Sequence, residues 1–268
     1  MRMKLCMTVL LAWLGFCGAT VSAVVPRIEV NPDGKGLKLL VFEGSDHHRN
    51  YVDRGKILGD LYFNYLADNK AYSVNLSDLQ PEILENTAGK IQLFWQFPAG
   101  VRLYQTFTVS GEEIEWDIEF FNRSRHTVNI MDMCLTVPIG AIDESVQACQ
   151  NLNRHFSLNG SSSFLYWIPY TGQGDILLMS MKKGTAMEYA TWDGKYYLHA
   201  TNVVDRANDT WRIPSTSKTV APYQRYLTGF NFTVAKDYTD LRGKLYDKGN
   251  VLVKVAPGMV VTPEMEVY

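Results

Sequence analysis

Between Val101 and Phe120 apolar residues recur at every second position, and this two-residue period constrains the fold more than any other feature of the chain. The first arm runs Val101-Arg102-Leu103-Tyr104-Gln105-Thr106-Phe107-Thr108-Val109. A turn follows at Ser110 to Glu113, and the second arm is Ile114-Glu115-Trp116-Asp117-Ile118-Glu119-Phe120. Successive side chains of a strand point to opposite faces, so one face of the second arm is packed and the other presents Glu115, Asp117 and Glu119 to water.

The same pattern, or short apolar runs between turn residues, covers most of the chain. Arg27 to Val30 and Leu37 to Phe42 flank Asn31-Pro32-Asp33-Gly34-Lys35-Gly36, whose Pro and Gly residues fit a hairpin turn. Ile83 to Glu85 and Ile91 to Phe97 flank a turn at Asn86 to Lys90. Further strands are expected at Thr127 to Val137, Ser163 to Trp167, Asp175 to Met181, Ala186 to Thr191, Tyr196 to Ala200, Gln224 to Val234 and Asn250 to Val255. One segment has helical spacing: Asp237 to Lys248 sets Tyr238, Leu241, Leu245 and Tyr246 on one side, with Asp237 as N-cap and Gly249 as C-cap. No low-complexity linker, charge block or repeat divides the chain. The expected fold is all-β: one large antiparallel β-sandwich with one short helix near the C-terminus.

The N-terminus reads as an export signal over residues 1–23. Arg2 and Lys4 precede an apolar stretch from Leu5 to Phe16, and Val21-Ser22-Ala23 supplies the small-residue cleavage pattern. Thr8, Gly15 and Gly18 interrupt the run, which falls short of the roughly 20 apolar residues a spanning helix needs. Phe16 is too bulky to precede a lipidated Cys17. The expected product is therefore secreted or periplasmic, begins near Val24, and forms one sandwich domain over 24–268 with no membrane association after cleavage. Glu264 to Tyr268 open what reads as another strand and then stop, so the domain is expected to be shortened at its C-terminal end.

Loss of residues 1–23 takes the formal charge from -2 to -4, because Arg2 and Lys4 go with them. A mildly acidic chain without clustered Lys and Arg carries no footprint for nucleic acid or an anionic membrane surface. Neutral ligands are favoured, and 15 Tyr and 6 Trp exceed what a core alone requires. Some of those rings suit the apolar faces of sugars, although any single ring is more simply a cross-strand partner. With Cys6 and Cys17 in the signal, Cys134 and Cys149 remain; an oxidising compartment permits one disulfide between them, and the spacing does not decide whether they meet. Asn75, Asn122, Asn159, Asn208 and Asn231 each begin an Asn-X-Ser/Thr sequon.

Catalytic constellations are thin. Glycoside cleavage needs two carboxylates roughly 5 to 9.5 Å apart, one with a raised pKa, and the row Glu115, Asp117, Glu119 reads as a solvated sheet face. Asp46-His47-His48 and Asp53 hint at metal, but adjacent strand residues point apart and no second histidine cluster completes a set, so neither metal nor any other cofactor is expected. Gly160-Ser161-Ser162-Ser163-Phe164 lacks the closing glycine and the strand-to-helix context of a nucleophile elbow. The candidate ligand residues are Arg154, His155, Trp167, Trp192 and Trp211. Arg154 and His155 donate hydrogen bonds suited to sugar hydroxyls, and Trp192 and Trp211 lie near Asp193-Gly194 and Asn208-Asp209 as loop platforms. The competing reading pairs Arg154 with an acidic neighbour and leaves His155 to satisfy loop backbone.

Arg154-His155-Phe156-Ser157-Leu158-Asn159-Gly160-Ser161-Ser162-Ser163-Phe164-Leu165-Tyr166-Trp167, Gly184-Thr185-Ala186-Met187-Glu188-Tyr189, and Leu245-Tyr246-Asp247-Lys248-Gly249 with Val255-Ala256-Pro257-Gly258-Met259-Val260-Val261 resemble the N-terminal region of exported six-hairpin glycosidase-like proteins. The resemblance covers Ile28 to the end. It implies an N-terminal supersandwich, similar to galactose-mutarotase-like sandwiches, followed by a helical toroid that holds the active site. One short helix cannot supply that toroid, so no catalytic residue carries over. The resemblance leaves Arg154, His155 and Trp167 a part in shaping the sandwich or its docking face.

These readings converge on an exported, non-catalytic sandwich module of a carbohydrate-processing protein, which supports or docks a helical catalytic domain absent from this chain and contacts glycan through loop aromatics. Two alternatives stand beside it: a mutarotase-like or lyase-like enzyme with its site on the sandwich, and a truncated product with no role of its own.

Overall fold

A computed structural model describes residues 24–45, 49–140, 151–191, 193–206 and 215–252. The expected signal peptide, Asp46-His47-His48, Cys149, Trp192, the Asn208 sequon, Trp211 and the chain from 253 onward lie outside the described residues.

Hairpin β1 (Val25–Val30) and β2 (Leu37–Glu43) opens the chain, followed by hairpin β3 (Leu61–Ala67) and β4 (Lys70–Asn75). A meander comes next: β5 (Glu82–Asn86), β6 (Lys90–Gln96), β7 (Val101–Ser110) and β8 (Glu113–Asn122). Then come β9 (Val128–Thr136), β10 (Leu152–Ser157), β11 (Phe164–Pro169), β12 (Ile176–Met181), β13 (Tyr189–Ala190), β14 (Lys195–Ala200), helix α1 (Asn202–Arg206), β15 (Lys218–Val220), β16 (Arg225–Ala235) and helix α2 (Tyr238–Asp247).

Every described strand pairing is antiparallel. Eight strands form one sheet in the order β10-β11-β12-β16-β8-β7-β6-β5. Six form a second, β13-β14-β9-β3-β4, with β15 alongside β9, and β1 and β2 make a two-stranded sheet of their own. The predicted arms at 101–109 and 114–120 become β7 and β8 in continuous register from Val101↔Asn122 to Ser110↔Glu113. The large antiparallel sandwich and its short helix near the C-terminal end are thus the architecture of the chain.

One core joins the layers. Phe63 of β3 meets Phe120 of β8 edge to face at 4.9 Å, and Trp116 of β8 lies between Phe107 of β7 and Phe230 of β16 at 5.4 and 5.3 Å. The β1–β2 hairpin adds Ile28, Leu40 and Phe42 to the same cluster. Fully buried Gln105 is matched on both sides: its Nε2 donates to Gly59 O and its Oε1 accepts from Trp116 Nε1, each at 2.9 Å. That satisfies a polar group that would otherwise cost about 1–3 kcal/mol. Gly59 has φ 118°, a conformation that strains any residue with a side chain, and a Cβ there would press on Gln105 Oε1 at 3.2 Å.

Helix α2 covers one end of the outer face of the eight-stranded sheet, packing Leu241 and Leu245 on Phe164, Tyr166, Leu178 and Ala235. Its N-cap is Asp237, whose carboxylate accepts from the backbone N–H groups of Thr239 and Asp240 at 2.7 and 2.8 Å. Lys248 is the C-cap, one position before the Gly249 expected, which follows at φ 78°. Beyond α2 the strand expected from Asn250 is irregular through Leu252. The strand expected over Ala186 to Thr191 shrinks to β13, because Glu188 N and Thr191 N bond across to β14 only around Tyr189–Ala190.

Candidate functional site

On the outer face of the eight-stranded sheet, away from α2, the registers lay out side chains in rows. Arg225, Phe121, Arg102 and Gln96 form one row; Leu227, Glu119, Tyr104 and Phe94 the next. Gly229, Asp117, Thr106 and Gln92 follow, then Asn231, Glu115, Thr108 and Lys90. Their neighbours Leu103, Phe107, Trp116, Ile118 and Phe120 face the core, so alternation alone puts this polar and aromatic set outside.

The rings on this face are half-buried and flanked by charge. Phe94 and Tyr104 pack at 5.0 Å, and the Arg102 guanidinium lies 5.7 Å from the Phe94 centroid. Arg225 sits 4.4 Å over Phe121 and pairs with Glu119. Lys182, at the end of β12, reaches across β16 to Glu115 at 2.6 Å and Asp117 at 2.7 Å. The expected row of acids open to water is therefore a row of cation ligands: Lys182 takes two of them and Arg225 the third.

The Lys182 hydrogen bond holds the Glu115 carboxyl below its usual range despite partial burial. Burial pulls the ammonium of Lys182 down, but its bonds to Asp117 and Glu115 outweigh that and leave it raised. A depressed Glu115 is the reverse of what a general acid requires. Beside the cluster, Ser180 Oγ and Asn231 Oδ1 are buried without a hydrogen-bond partner among the described residues, and the two residues face each other in register. The arrangement offers donors, acceptors and ring faces to a hydroxyl-rich ligand.

The residues singled out from sequence do not meet. Arg154 and His155 are neighbours on edge strand β10 and point to opposite faces. Arg154 lies 5.7 Å from the Tyr196 ring, toward the other sheet, while His155 stacks on Tyr166 at 4.9 Å and 8°, beside α2. Trp167 has no exposed surface, and its indole nitrogen donates to Ile139 O at 3.0 Å, so it packs the core and touches no surface ligand. Trp192 and Trp211 lie outside the described residues. Ser163 is turn chemistry, as expected: its buried Oγ accepts from Asn159 N and donates to Met187 O. Asp53 Oδ1 accepts from Gly140 N at 3.0 Å, a structural bond. Among the described residues Cys134 is a buried free thiol, and Cys149, with which the sequence leaves a disulfide open, lies outside them.

Lys182 and the Phe94, Tyr104 and Phe121 rings were missed from sequence. The signal available was the acidic alternation of β8, which announced an outward face without saying what would cross it.

No family model and no curated protein matches the chain. Among solved structures it is similar to a polysaccharide lyase at 15% identity and a TM-score of 0.67, over 87% of this chain and 35% of that one. The chain thus spans about a third of the length of that protein, 35%. It is also similar to the Slr1438 protein of Synechocystis sp. PCC 6803, at 10% identity and a TM-score of 0.53, over 80% of this chain and 93% of that one. A galactose mutarotase related enzyme from Lactobacillus acidophilus matches at 8% identity and 0.48, over 81% and 97%. At these identities the first two likenesses establish a shared sandwich fold.

Proposed function

We propose that the chain is an exported, non-catalytic β-sandwich module of a carbohydrate-processing protein, which supports a helical catalytic domain and contacts glycan across the open face of its eight-stranded sheet. The observation that carries this reading is the Phe94, Tyr104 and Phe121 platform bordered by Arg102, Arg225, Glu119 and the Lys182 cluster. Ring faces next to fixed donors and acceptors match the alternating apolar and hydroxyl surfaces of a pyranose. The likeness to a part of a larger polysaccharide lyase supports the module role, since the chain corresponds to 35% of it.

Against a mutarotase-like or lyase-like site stands the separation of the described imidazoles. His126 pairs with exposed Asp68 at 3.4 Å, His155 stacks on Tyr166, and His199 bonds Tyr226 inside the sandwich. None of them faces Glu115 or Asp117. Calorimetric titration of residues 24–268 against a panel of neutral and acidic polysaccharides tests the glycan contact, with Tyr104→Ala as the variant. Flat isotherms for every polysaccharide overturn it, and undiminished binding by Tyr104→Ala removes it from this face.

A further inference from the structure

The open face of the eight-stranded sheet is electrically uneven along its strands. In its end row Arg225 and Arg102 flank Phe121, each one strand away from it. Arg123 continues the register of β8 past Asn122, its N–H donating to Gly100 O at 2.9 Å. By alternation it shares the face of Phe121. Arg102 and Arg123 are therefore diagonal neighbours across the β7–β8 pair, roughly 7–8 Å apart and within joint reach of one ligand group. The mild overall acidity that favours neutral ligands does not hold at this corner.

These two guanidinium groups differ from the other cations of the face in having no acid. Arg225 pairs with Glu119, Lys182 with Glu115 and Asp117, and Lys90 with Glu85. Among the described residues Arg102 reaches no carboxylate; it makes a 3.5 Å bond to Gln96 Oε1 and lies 5.7 Å from the Phe94 centroid. Arg123 is exposed, and its side chain also meets no acid among the described residues. Asp68, on the β3–β4 turn, lies 3.4 Å from His126 instead. The same end carries a strained aromatic. Pro222 and Tyr223 occupy the centre of a turn closed by Gln224 N donating to Ala221 O at 3.1 Å. Tyr223 has φ 59°, which a bulky residue rarely adopts, and it is 57% exposed, so its ring draws little packing in return. A bond from Asn122 N to Gln224 O at 3.0 Å brings Tyr223 to the end of the face where Arg123 stands.

We infer that Arg102 and Arg123 form a carboxylate subsite of the glycan platform, which makes the ligand an acidic polysaccharide whose uronates are separated by neutral sugars. A uronate ring lies over Phe121, with Tyr223 at its end. The inference rests on the platform reading and adds the charge class of the ligand. A guanidinium fork matches a planar carboxylate through paired N–H bonds. A dense polyanion fits less well. Rows are about 7 Å apart, and those beyond the arginines bear Glu119, Glu82 beside Phe94, then Asp117 and Glu115. These acids oppose a charge on every unit, whereas hydroxyls of neutral sugars can donate to them.

The test is calorimetric titration of the folded chain with hyaluronate and glucuronoxylan, each beside its carboxyl-reduced form, and with dextran sulfate and single-stranded DNA. At least one of the two uronate polymers should bind about tenfold or more tighter than its reduced form, as loss of a charge-assisted pair implies. Its affinity should fall as salt rises toward about 1 M. Arg102→Gln and Arg123→Gln should each weaken the acidic form and leave the reduced form unchanged, while Tyr104→Ala weakens both. Tyr223→Gly relieves the turn, so it should weaken binding without lowering the Tm. Acidic and reduced forms that bind equally overturn the subsite and leave the platform standing. Undiminished binding by the Gln variants or by Tyr223→Gly overturns it too, as does tighter binding of dextran sulfate or DNA than of either uronate polymer. Flat isotherms for acidic and neutral chains alike sink subsite and platform together. Should a Gln variant not fold, the comparison of acidic and reduced forms on the unmodified chain still decides the matter.

Discussion

Lys182 reaches Asp117 by lying across the bare backbone of Gly229. A Cβ at Gly229 would stand 3.2 Å from Lys182 Cδ, 2.8 Å from Asp117 Oδ1 and 2.5 Å from Trp116 O. The last of these is backbone of the neighbouring strand and cannot swing aside. Thr185 holds the crossing in place, with its Oγ1 accepting from Gly229 N at 2.7 Å and lying 3.0 Å from Thr228 Oγ1. Gly229→Ala is therefore expected to cost about 2–4 kcal/mol, or a fall in Tm of roughly 2–4 °C per kcal/mol for a domain of this size. Thermal unfolding measures it, and an unchanged Tm would show that β16 has slack the packing does not suggest.

Lys182→Met keeps the length of the stem and removes the charge. Glu115 has a folded pKa depressed from 4.5 by the Lys182 bond, so its contribution is fully present above the unfolded value and is lost as pH falls through the folded one. The parent chain should lose more stability than Lys182→Met between roughly pH 5 and pH 3. At pH 7 the variant should be less stable by only about 1 kcal/mol, because the cluster is partly exposed and screened. Urea unfolding at both ends of that range gives the difference; parallel losses in the two chains would mean that the ion cluster adds nothing.

How far the sequence reveals this architecture depends on where the ordering information lies. β7 and β8 are legible because their alternation and turn are local. β3 and β4 were passed over although Leu61-Tyr62-Phe63-Asn64-Tyr65 alternates, because their two-residue turn is Asp68-Asn69, at φ 53° and 58°, without the glycine that usually marks such hairpins. β10 carries no local strand signal, since Leu152-Asn153-Arg154-His155-Phe156-Ser157 lacks the alternation; as an edge strand it leaves Asn153 to Phe156 exposed on both faces. The Lys182 cluster was illegible for a different reason: it requires β12, β16 and β8 to be adjacent, and Lys182 and Glu115 are 67 positions apart.

Asn122 begins a sequon but is used inside the protein. It is 2% exposed, and its Nδ2 lies 2.7, 3.0 and 3.1 Å from the carbonyl oxygens of His126, Val220 and Ala221. Its Oδ1 accepts from Ser124 N and Ser124 Oγ at 3.0 and 2.7 Å. Asn122→Ala strips these carbonyls of a donor and should destabilise by about 2–4 kcal/mol. Expressed in a glycosylating host, the chain should carry glycan at exposed Asn159 and none at Asn122; peptide mapping by mass spectrometry checks this, and a glycan on Asn122 would mean that the β8–β9 corner opens before it folds.

His199 supplies a pH dependence of a different sign of charge. Its Nε2 lies 2.8 Å from Tyr226 Oη, its Nδ1 is buried without a described partner, and burial, aided by Lys218, lowers its pKa to about 4. The unfolded chain takes up a proton near pH 6.5 while the folded chain does not, so stability is full above that value and drains as pH falls toward about 4. The loss over this window is at most roughly 3 kcal/mol, at about 1.4 kcal/mol per pH unit. His199→Gln retains a partner for Tyr226 and cannot titrate, so its unfolding free energy should be flatter than the parent's between pH 6.5 and pH 4. Since Glu115 acts mainly below pH 5, the difference between the two chains at pH 5.5 isolates the histidine. An imidazole seen by NMR to titrate near 6.5 in the folded chain would mean that water reaches Nδ1 and that the sandwich is more open at β14 than its packing implies.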